Sequence, residues 1–410
     1  YPEAMVTLPA RRSIYTGRRI FPFRYFEPIP DLGRSPGWEP INNLATTFPA
    51  LLRKAGYWTA CATDNPFYGF TKTYHGFRET FDRFIPVEGY VGYRNSPATV
   101  SDAQLKHWLP KPLQTERYLT GVRKYLANSG YARVDSESTA ARVFQWGSNL
   151  LDECLNKADP FCLVVDCFEP HEPWCPPRKY VDMYGDPDYR GPEPAVPRYS
   201  RADYLSDTLI ERMQAVYAAS VTQMDRWLGD FWEKFQHSDA ADNTLVIFVS
   251  DHGILLGDRG WTGKVPAVLH PEMTHVPLAI KHPDGKRAGE ASDWFASTHD
   301  LAPTLLSMLD VDPAPQMEGT DLSPLFDHRP LPRRDMAYGG YYNRHYVRTD
   351  KWFYQADNHR QQRKLFNLEL DPYEQRDLSE EQPEVALELY ERMVEQIGGK
   401  PPPYYGANKS

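Results

Sequence analysis

Two uninterrupted apolar runs punctuate the chain, FCLVVDCF at 161–168 and TLVIFVSD at 244–251. Both are rich in Val, Ile and Phe and close on polar residues, a pattern that predicts parallel strands covered on both faces. Ahead of the first stands ARVFQWGSNLLDECL, which sets Val143, Trp146, Leu150, Leu151 and Cys154 at helical spacing; ahead of the second stands VYAASVTQMDRWLGDFWEKF, equally helical. Trp227 and Trp232 of that second helix are expected in the core. Helices alternating with buried strands predict an α/β fold built on a doubly wound, mostly parallel sheet. In such sheets ligands gather at the carboxyl ends of the strands. DCFEPHEP and SDHG both fall at such ends and are expected to face one cleft.

After about residue 330 the period changes. HYVRTDKWFYQ and RKLFNLELD alternate in short segments, and a helix is predicted from Pro383 to Ile397, with Ala386, Leu389, Tyr390, Met393 and Ile397 on one face and a stop at Gly398 and Gly399. A small C-terminal antiparallel sheet with a closing helix follows, so the expected domains are 1–330 and 331–410. Residues 86–135 and 176–200 mix Pro, Gly, Tyr and charge without a sustained period and are expected to be surface insertions at a cleft rim. The tail PPPYYGANKS is expected to be loose.

Composition narrows the class. With 410 residues, 41% apolar and 13% aromatic, the chain can bury a large core. Lys and Arg total 46 against 55 for Asp and Glu, a net charge of −9 with no long basic run, which argues against nucleic acid as a partner. No apolar stretch approaches the ~18 residues needed to cross a bilayer, and residues 1–20 lack the apolar core of a signal peptide, so no membrane partner is expected. Five cysteines (Cys61, Cys154, Cys162, Cys167, Cys175) form an odd set with no CxxC pair. They fit free thiols in a reducing compartment better than a disulfide framework, and a cytoplasmic location is expected. The chain opens without methionine directly on motif-like residues, so further sequence is expected upstream.

SDHGILLGDRG carries the most chemistry. Asp251 and His252 leave a strand end together ahead of a glycine-permitted turn, a carboxylate and an imidazole suited to a divalent metal. A capped, solvated turn explains the same residues taken alone. VTLPARRSIYTGR at 6–18 starts a helix in which Thr7 either caps the helix or serves as a nucleophile. Several stretches, in the same order along the chain, resemble one family. TLPARRSIYTGR resembles the sulfatase signature CxPSRxxLLTGR, DCFEPHEPW its HxPHxP segment, and NTLVIFVSDHGILLGDRGWTGK its metal-binding strand with the downstream lysine. STHDLAPTLLSMLDV, MEGTDLSPLF and KLFNLELDPYEQRDL are similar to later landmarks. The chain is thus identified as sulfatase-like, within the alkaline phosphatase superfamily of metal-dependent ester hydrolases.

That resemblance implies the site. Thr7 stands where the family keeps its nucleophile precursor and Arg11 at the arginine that steadies it; Asp251 and His252 fall at two metal ligands, His171 at the histidine near the leaving group, and Lys264 at the lysine facing the sulfuryl or phosphoryl oxygens. The metal, Arg11 and Lys264 would neutralise an anionic ester in an in-line transition state, and His171 would protonate the departing oxygen. One divalent ion is implied, Ca²⁺ or Mn²⁺/Mg²⁺.

Three departures matter. The family oxidises cysteine or serine to formylglycine, a route closed to threonine, so no formylglycine is expected at Thr7; a threonine hydroxyl instead favours attack on phosphorus, with water releasing the phosphothreonine. The family's AGYxTxxxGKWHLG stretch reads AGYWTACATDNPFYGF here, which puts Asp64 and Pro66 at its lysine and histidine; Asp64 is expected as a turn residue, the alternative being a contact with a cationic or hydroxyl-bearing part of the substrate. Its pair of acidic ligands is expected upstream, so with Asp251 and His252 alone the metal would be held weakly and this stretch would be poorly active. His270 and His275 are expected at the surface, and His299 and Asp300 in a structural role, Asp300 as a helix cap. The expected function is a metal-dependent hydrolase of sulfate or phosphate/phosphonate esters acting on a small anionic substrate; the alternative is an inactive, anion-binding sulfatase-like protein. A homo-oligomer is compatible with either.

Overall fold

The strand Trp58–Thr63 is the centre of a three-stranded parallel sheet, flanked by Arg83–Pro86 and Phe161–Asp166, with Trp58 opposite Phe161 and Thr63 opposite Asp166. The computed structural model describes residues 1–24, 36–89, 96–128 and 134–402. By internal contacts the chain forms two units, one of Tyr1–Leu51, Thr244–Leu255 and Lys264–Ser410, the other of Leu52–Asn243 and Leu256–Gly263. The fold is α/β, with a parallel sheet, small antiparallel sheets and a C-terminal helix.

The parallel sheet belongs to the second unit. Its covering helix, Thr139–Leu155, begins where the Ser138 hydroxyl accepts from the Ala141 amide at 3.2 Å. The helix buries Val143, Leu150, Leu151 and Cys154, and Leu150 and Cys154 pack against Ala60 and Ala62 of the central strand. A side chain at Gly147 would reach Val165 at 2.9 Å, so glycine lets helix and strand approach. Trp146, expected on the buried face, is 37% exposed. The helix Asp207–Gln236 carries Trp227 and Trp232, which are half-buried rather than core. Its Arg212 makes a bidentate pair with Glu193, both bonds 2.6 Å. The region around 86–135 is more regular than its composition suggests, with helices Asp102–Trp108 and Glu116–Asn128, the first closed by a Ser101–Gln104 capping box.

In the first unit, Val246–Val249 pairs antiparallel with Leu278–Lys281. This corrects the expectation of a buried parallel strand: Phe248 is 44% exposed, so the apolar run is covered only in part. The four strands Ala337–Tyr341, Arg344–Arg348, Trp352–Asp357 and Lys364–Asn367 form an antiparallel meander, as the alternation after residue 330 predicts. Helix Pro383–Gln396 buries Ala386, Leu389, Tyr390 and Met393 against Val347, Tyr354 and Leu365. The tail from residue 403 lies outside the described residues.

The N-terminal segment joins this sheet. The Met5 amide donates to the Gly340 carbonyl and the Gly340 amide to the Glu3 carbonyl, both at 3.0 Å. Side chains at Gly339 and Gly340 would stand 2.5 Å from the Glu3 carbonyl and 2.4 Å from the Phe21 ring. Two adjacent glycines are therefore what lets the chain lie on the sheet just ahead of residue 7. The five cysteines are all free thiols, and burial pushes the Cys61 thiol well above its ordinary pKa. Among the described residues, no helix is long and apolar enough to cross a membrane.

Met393 is fully buried where the C-terminal helix meets the sheet. Met393→Ala should therefore lower the unfolding free energy by roughly 2–5 kcal/mol, seen as a lower urea midpoint at unchanged slope. A midpoint equal to that of the unsubstituted chain would show that the helix does not depend on this contact.

Candidate active site

The helix Thr7–Thr16 has Thr7 as its first residue and Val6 as its N-cap, with no side-chain capping bond. Thr7 is thus not the cap. Its Oγ1 lies 3.4 Å from Nε2 of His252, and the residue is 3% exposed. One turn along, the Arg11 guanidinium donates to Oδ2 of Asp251. The helix ends at Gly17 in the left-handed conformation, φ 61°. Ser13 Oγ meets Thr298 Oγ1 at 2.9 Å, and the Gly17 carbonyl accepts from the Glu318 amide at 2.8 Å.

Asp251 and His252 follow the end of Val246–Val249. The glycine after them is required by space. A Cβ on Gly253 would sit 2.0 Å from the Glu272 carbonyl oxygen, and the Gly253 amide donates to the Met273 carbonyl at 3.0 Å. The His252 ring places Nδ1 2.8 Å from the Gly253 carbonyl, which makes Nδ1 the protonated nitrogen and leaves the Nε2 lone pair on the side of Thr7. Burial holds the His252 pKa below its ordinary value; Asp251 pulls the other way, and Lys264 and Arg11 add to the lowering. Lys264 is itself buried, at 4% exposure. Thr7, Arg11, Asp251, His252 and Lys264 are therefore all in the first unit.

The donor set suits a hard or borderline divalent cation, since a carboxylate oxygen and an unprotonated imidazole nitrogen stand 3.8 Å apart. Among the described residues no group of three or more His, Cys, Asp or Glu is arranged to hold a metal. Asp251 and His252 would be two of the ligands of such an ion.

His171 lies in the second unit. Its Nδ1 is 2.7 Å from the Glu172 carbonyl, its amide donates to the Phe168 carbonyl at 2.9 Å, and its ring stacks on Phe168 with centroids 4.3 Å apart. Behind it stands Asp64, which is no exposed turn residue. It is fully buried after the central strand, and its Oδ1 accepts the Phe168 amide at 2.7 Å. Burial raises its pKa far above the carboxylate range, opposed by the Phe168 bond and reinforced by Glu169 and Asp166. Asp64 thus ties the strand end to the loop holding His171 through this bond. A polar residue directly after an apolar strand was its only sequence signal.

The remaining histidines divide. His270 is buried, with Nδ1 on Glu374 and Nε2 2.9 Å from Gln355, which corrects its expected surface position; His275 is exposed and stacks on Tyr1. Asp300 is structural but not through its own cap: it closes a capping box on Ser297 at 2.7 Å and grips Arg334 through both oxygens. Burial lowers the His299 pKa to about 3.

Comparison with known proteins decides the family. The sequence model of the Sulfatase family matches residues 1–311, and that of the N-sulphoglucosamine sulphohydrolase C-terminal region matches 257–398. The chain belongs to the sulfatase family. Within it, the chain is 26% identical to an arylsulfatase of Clostridium perfringens over 91% of its own length and 81% of the relative's. It is 26% identical to a multifunctional alkaline phosphatase superfamily protein of Trinickia caryophylli over 77% of its length and 66% of the relative's. The phosphonate monoester hydrolase of Agrobacterium radiobacter shares the fold, with a TM-score of 0.68 at 18% identity, over 97% of this chain and 87% of that one. Sulfatase-family membership makes the chain a hydrolase of ester bonds.

The raised pKa of Asp64 gives a pH dependence of known sign. An unfolded aspartate releases its proton near its ordinary value of 3.8, whereas the folded chain keeps it, so above about pH 4 the unfolded state binds fewer protons and stability falls as pH rises. Asp64→Asn keeps an acceptor for the Phe168 amide and cannot ionise. Its unfolding free energy should gain on the unsubstituted chain as pH rises above about 4; a difference that does not change with pH would mean that burial does not hold the Asp64 proton.

Proposed function

We propose that the chain hydrolyses sulfate-type or phosphonate- and phosphate-type esters through a nucleophilic threonine at residue 7, with the balance tilted towards phosphorus. The observation that carries this reading is the approach of Thr7 Oγ1 to His252 Nε2 at 3.4 Å, at the start of a helix whose Arg11 engages Asp251. The arylsulfatase and the multifunctional superfamily relative support the ester class.

Thr7 Oγ1 gives up its proton to solvent and attacks the sulfur or phosphorus in line with the ester oxygen, forming an ester on Thr7 as the bond to the leaving group breaks. Asp251 and His252 would hold a divalent cation, which when bound lowers the pKa of a neighbouring hydroxyl and neutralises anionic oxygens. Arg11 and Lys264 bind the non-bridging oxygens, and the positive end of the Thr7–Thr16 helix favours negative charge at the same place. His171 carries the proton to the departing oxygen. In the imidazolium form its Nδ1–H is committed to the Glu172 carbonyl, so the proton given to the departing oxygen is the one on Nε2. Water then cleaves the ester on Thr7. Threonine offers one oxygen, so the elimination open to a formylglycine hydrate is closed to it. Hydrolysis of the Thr7 ester is the exit, a route better suited to phosphorus.

The test is turnover of 4-nitrophenyl phosphonate, phosphodiester and sulfate esters with added Mn²⁺ or Ca²⁺. Thr7→Ala should lower kcat/KM by on the order of 10³-fold or more, while Thr7→Ser keeps measurable activity. Mass spectrometry of the quenched reaction should find the phosphoryl group on the peptide containing residue 7, and an unmodified threonine there before reaction. If no ester turns over with any metal, or Thr7→Ala is as active as the unsubstituted chain, the nucleophile is misassigned.

A further inference from the structure

The second unit contains a cavity of about 720 Å³ whose lining includes Arg117, Tyr118, His171, Glu172, Arg198 and Tyr199. Its charge is unbalanced. Among the described residues, neither Arg117 nor Arg198 has a carboxylate within ion-pair distance. Arg198 is nonetheless held in place, with one donor on the Pro112 carbonyl and its guanidinium 4.9 Å from the Tyr204 ring centroid. The one carboxylate of the lining, Glu172, is committed locally: the Tyr199 hydroxyl donates to Oε1, and Oε2 lies 3.6 Å from Nδ1 of His171. Two guanidiniums and one carboxylate therefore face the cavity, and among the described residues that carboxylate forms an ion pair with neither guanidinium.

The walls indicate the shape of what would neutralise them. Tyr118 is fixed by donation of its hydroxyl to the Pro197 carbonyl at 3.2 Å, and Tyr199 stands 45% exposed at the rim. Val122 and Val196 are buried behind them. Rings and branched aliphatic side chains offer flat apolar faces, and the volume falls in the range of roughly 300–1,000 Å³ typical of ring-containing ligands rather than of a lone anion.

We propose that this cavity binds a six-membered ring, sugar or aryl, bearing its own carboxylate or sulfate, with Arg117 and Arg198 as the partners of that second charge. His171 lines the same cavity, so the bound ring is the far part of the leaving group; this link, though not the binding itself, rests on the role proposed for His171. Guanidinium pairs give such recognition direction as well as strength, since each presents a planar fork to the anion.

Equilibrium binding to the full chain tests it without turnover, using a sulfated uronate disaccharide, 4-sulfobenzoate and the neutral disaccharide cellobiose. One or both anions should bind and cellobiose should not. Binding of the disaccharide alone assigns a sugar, of sulfobenzoate alone an aryl group, and both outcomes support the site. Arg117→Glu, at an exposed position that the fold does not use, should weaken the anion at least about tenfold, and Arg117→Ala with Arg198→Ala further, with the affinity falling as salt rises. Cellobiose binding as tightly as the anions, no binding of any probe, or anion binding unchanged by Arg117→Glu overturns the proposal. If no ester turns over yet the anions bind in an Arg117-dependent way, the catalytic reading falls and this site stands; ester turnover with Arg117-independent binding keeps the catalytic reading and removes this site.

Discussion

The bond from Arg11 to Asp251 joins residues 240 positions apart and fixes the start of the first helix against the DHG turn. Both side chains are largely buried, at 10% and 19% exposure. A guanidinium and a carboxylate held that way resist separation, because either one left behind would be a charge with little water to solvate it. Thr7 inherits its place from this pair. It is one turn from Arg11 on the same rigid element, and His252 is the residue after Asp251. The close approach of Thr7 to His252 is thus a consequence of an ion pair that neither of them makes.

A helix of ten residues pinned at one point could still pivot. Its two ends remove that freedom. Ahead of Thr7, Glu3 to Met5 lie on Gly340, and the Glu3 carboxylate accepts from the Ile20 and Phe21 amides at 3.0 and 2.9 Å, which closes the segment after the helix onto the one before it. Burial lifts the Glu3 pKa to about 7 in spite of those two bonds. Behind, Gly17 turns the chain and its carbonyl takes the Glu318 and Gly319 amides. The small antiparallel sheet is therefore more than an accessory, since it supplies the surface on which the residues before Thr7 are laid.

How much of this was legible in the sequence depends on how far each residue's partner lies along the chain. The helix from Pro383 and the alternating strands before it are local patterns, and they stand where the periodicity puts them. The first helix and the position of Asp251 and His252 at a strand end were equally local. An apolar run reports that a strand is covered, not which way its neighbour points, so the antiparallel pairing of Val246–Val249 with Leu278–Lys281 was invisible, as was the exposure of Phe248. Buried polar residues were the hardest. His270 finds Glu374 104 positions away, and Asp64 finds the Phe168 amide at the same separation. Taken without those partners, each reads as an exposed loop residue, because burying a lone polar group is costly. The cavity arginines were missed for the related reason that a guanidinium's missing counter-charge shows only when its surroundings are known.

Two threonines in one helix show why the first position matters. Thr16 Oγ1 donates to the Arg12 carbonyl at 2.6 Å, the bond to the preceding turn that helical hydroxyls commonly make. Thr7 opens the helix, so no preceding turn offers it a carbonyl four residues back, and its hydroxyl is left to a partner from elsewhere in the fold. Its branched Cβ narrows the side chain to few rotamers, so a hydroxyl aimed at His252 loses little freedom by staying there. In the proposed reaction that placement makes up for what threonine lacks. A formylglycine hydrate carries two hydroxyls and a built-in exit, whereas this hydroxyl has one role and relies on its position and on the cations around it. Moving the same threonine one turn into the helix would give its hydroxyl to the backbone and take it away from His252.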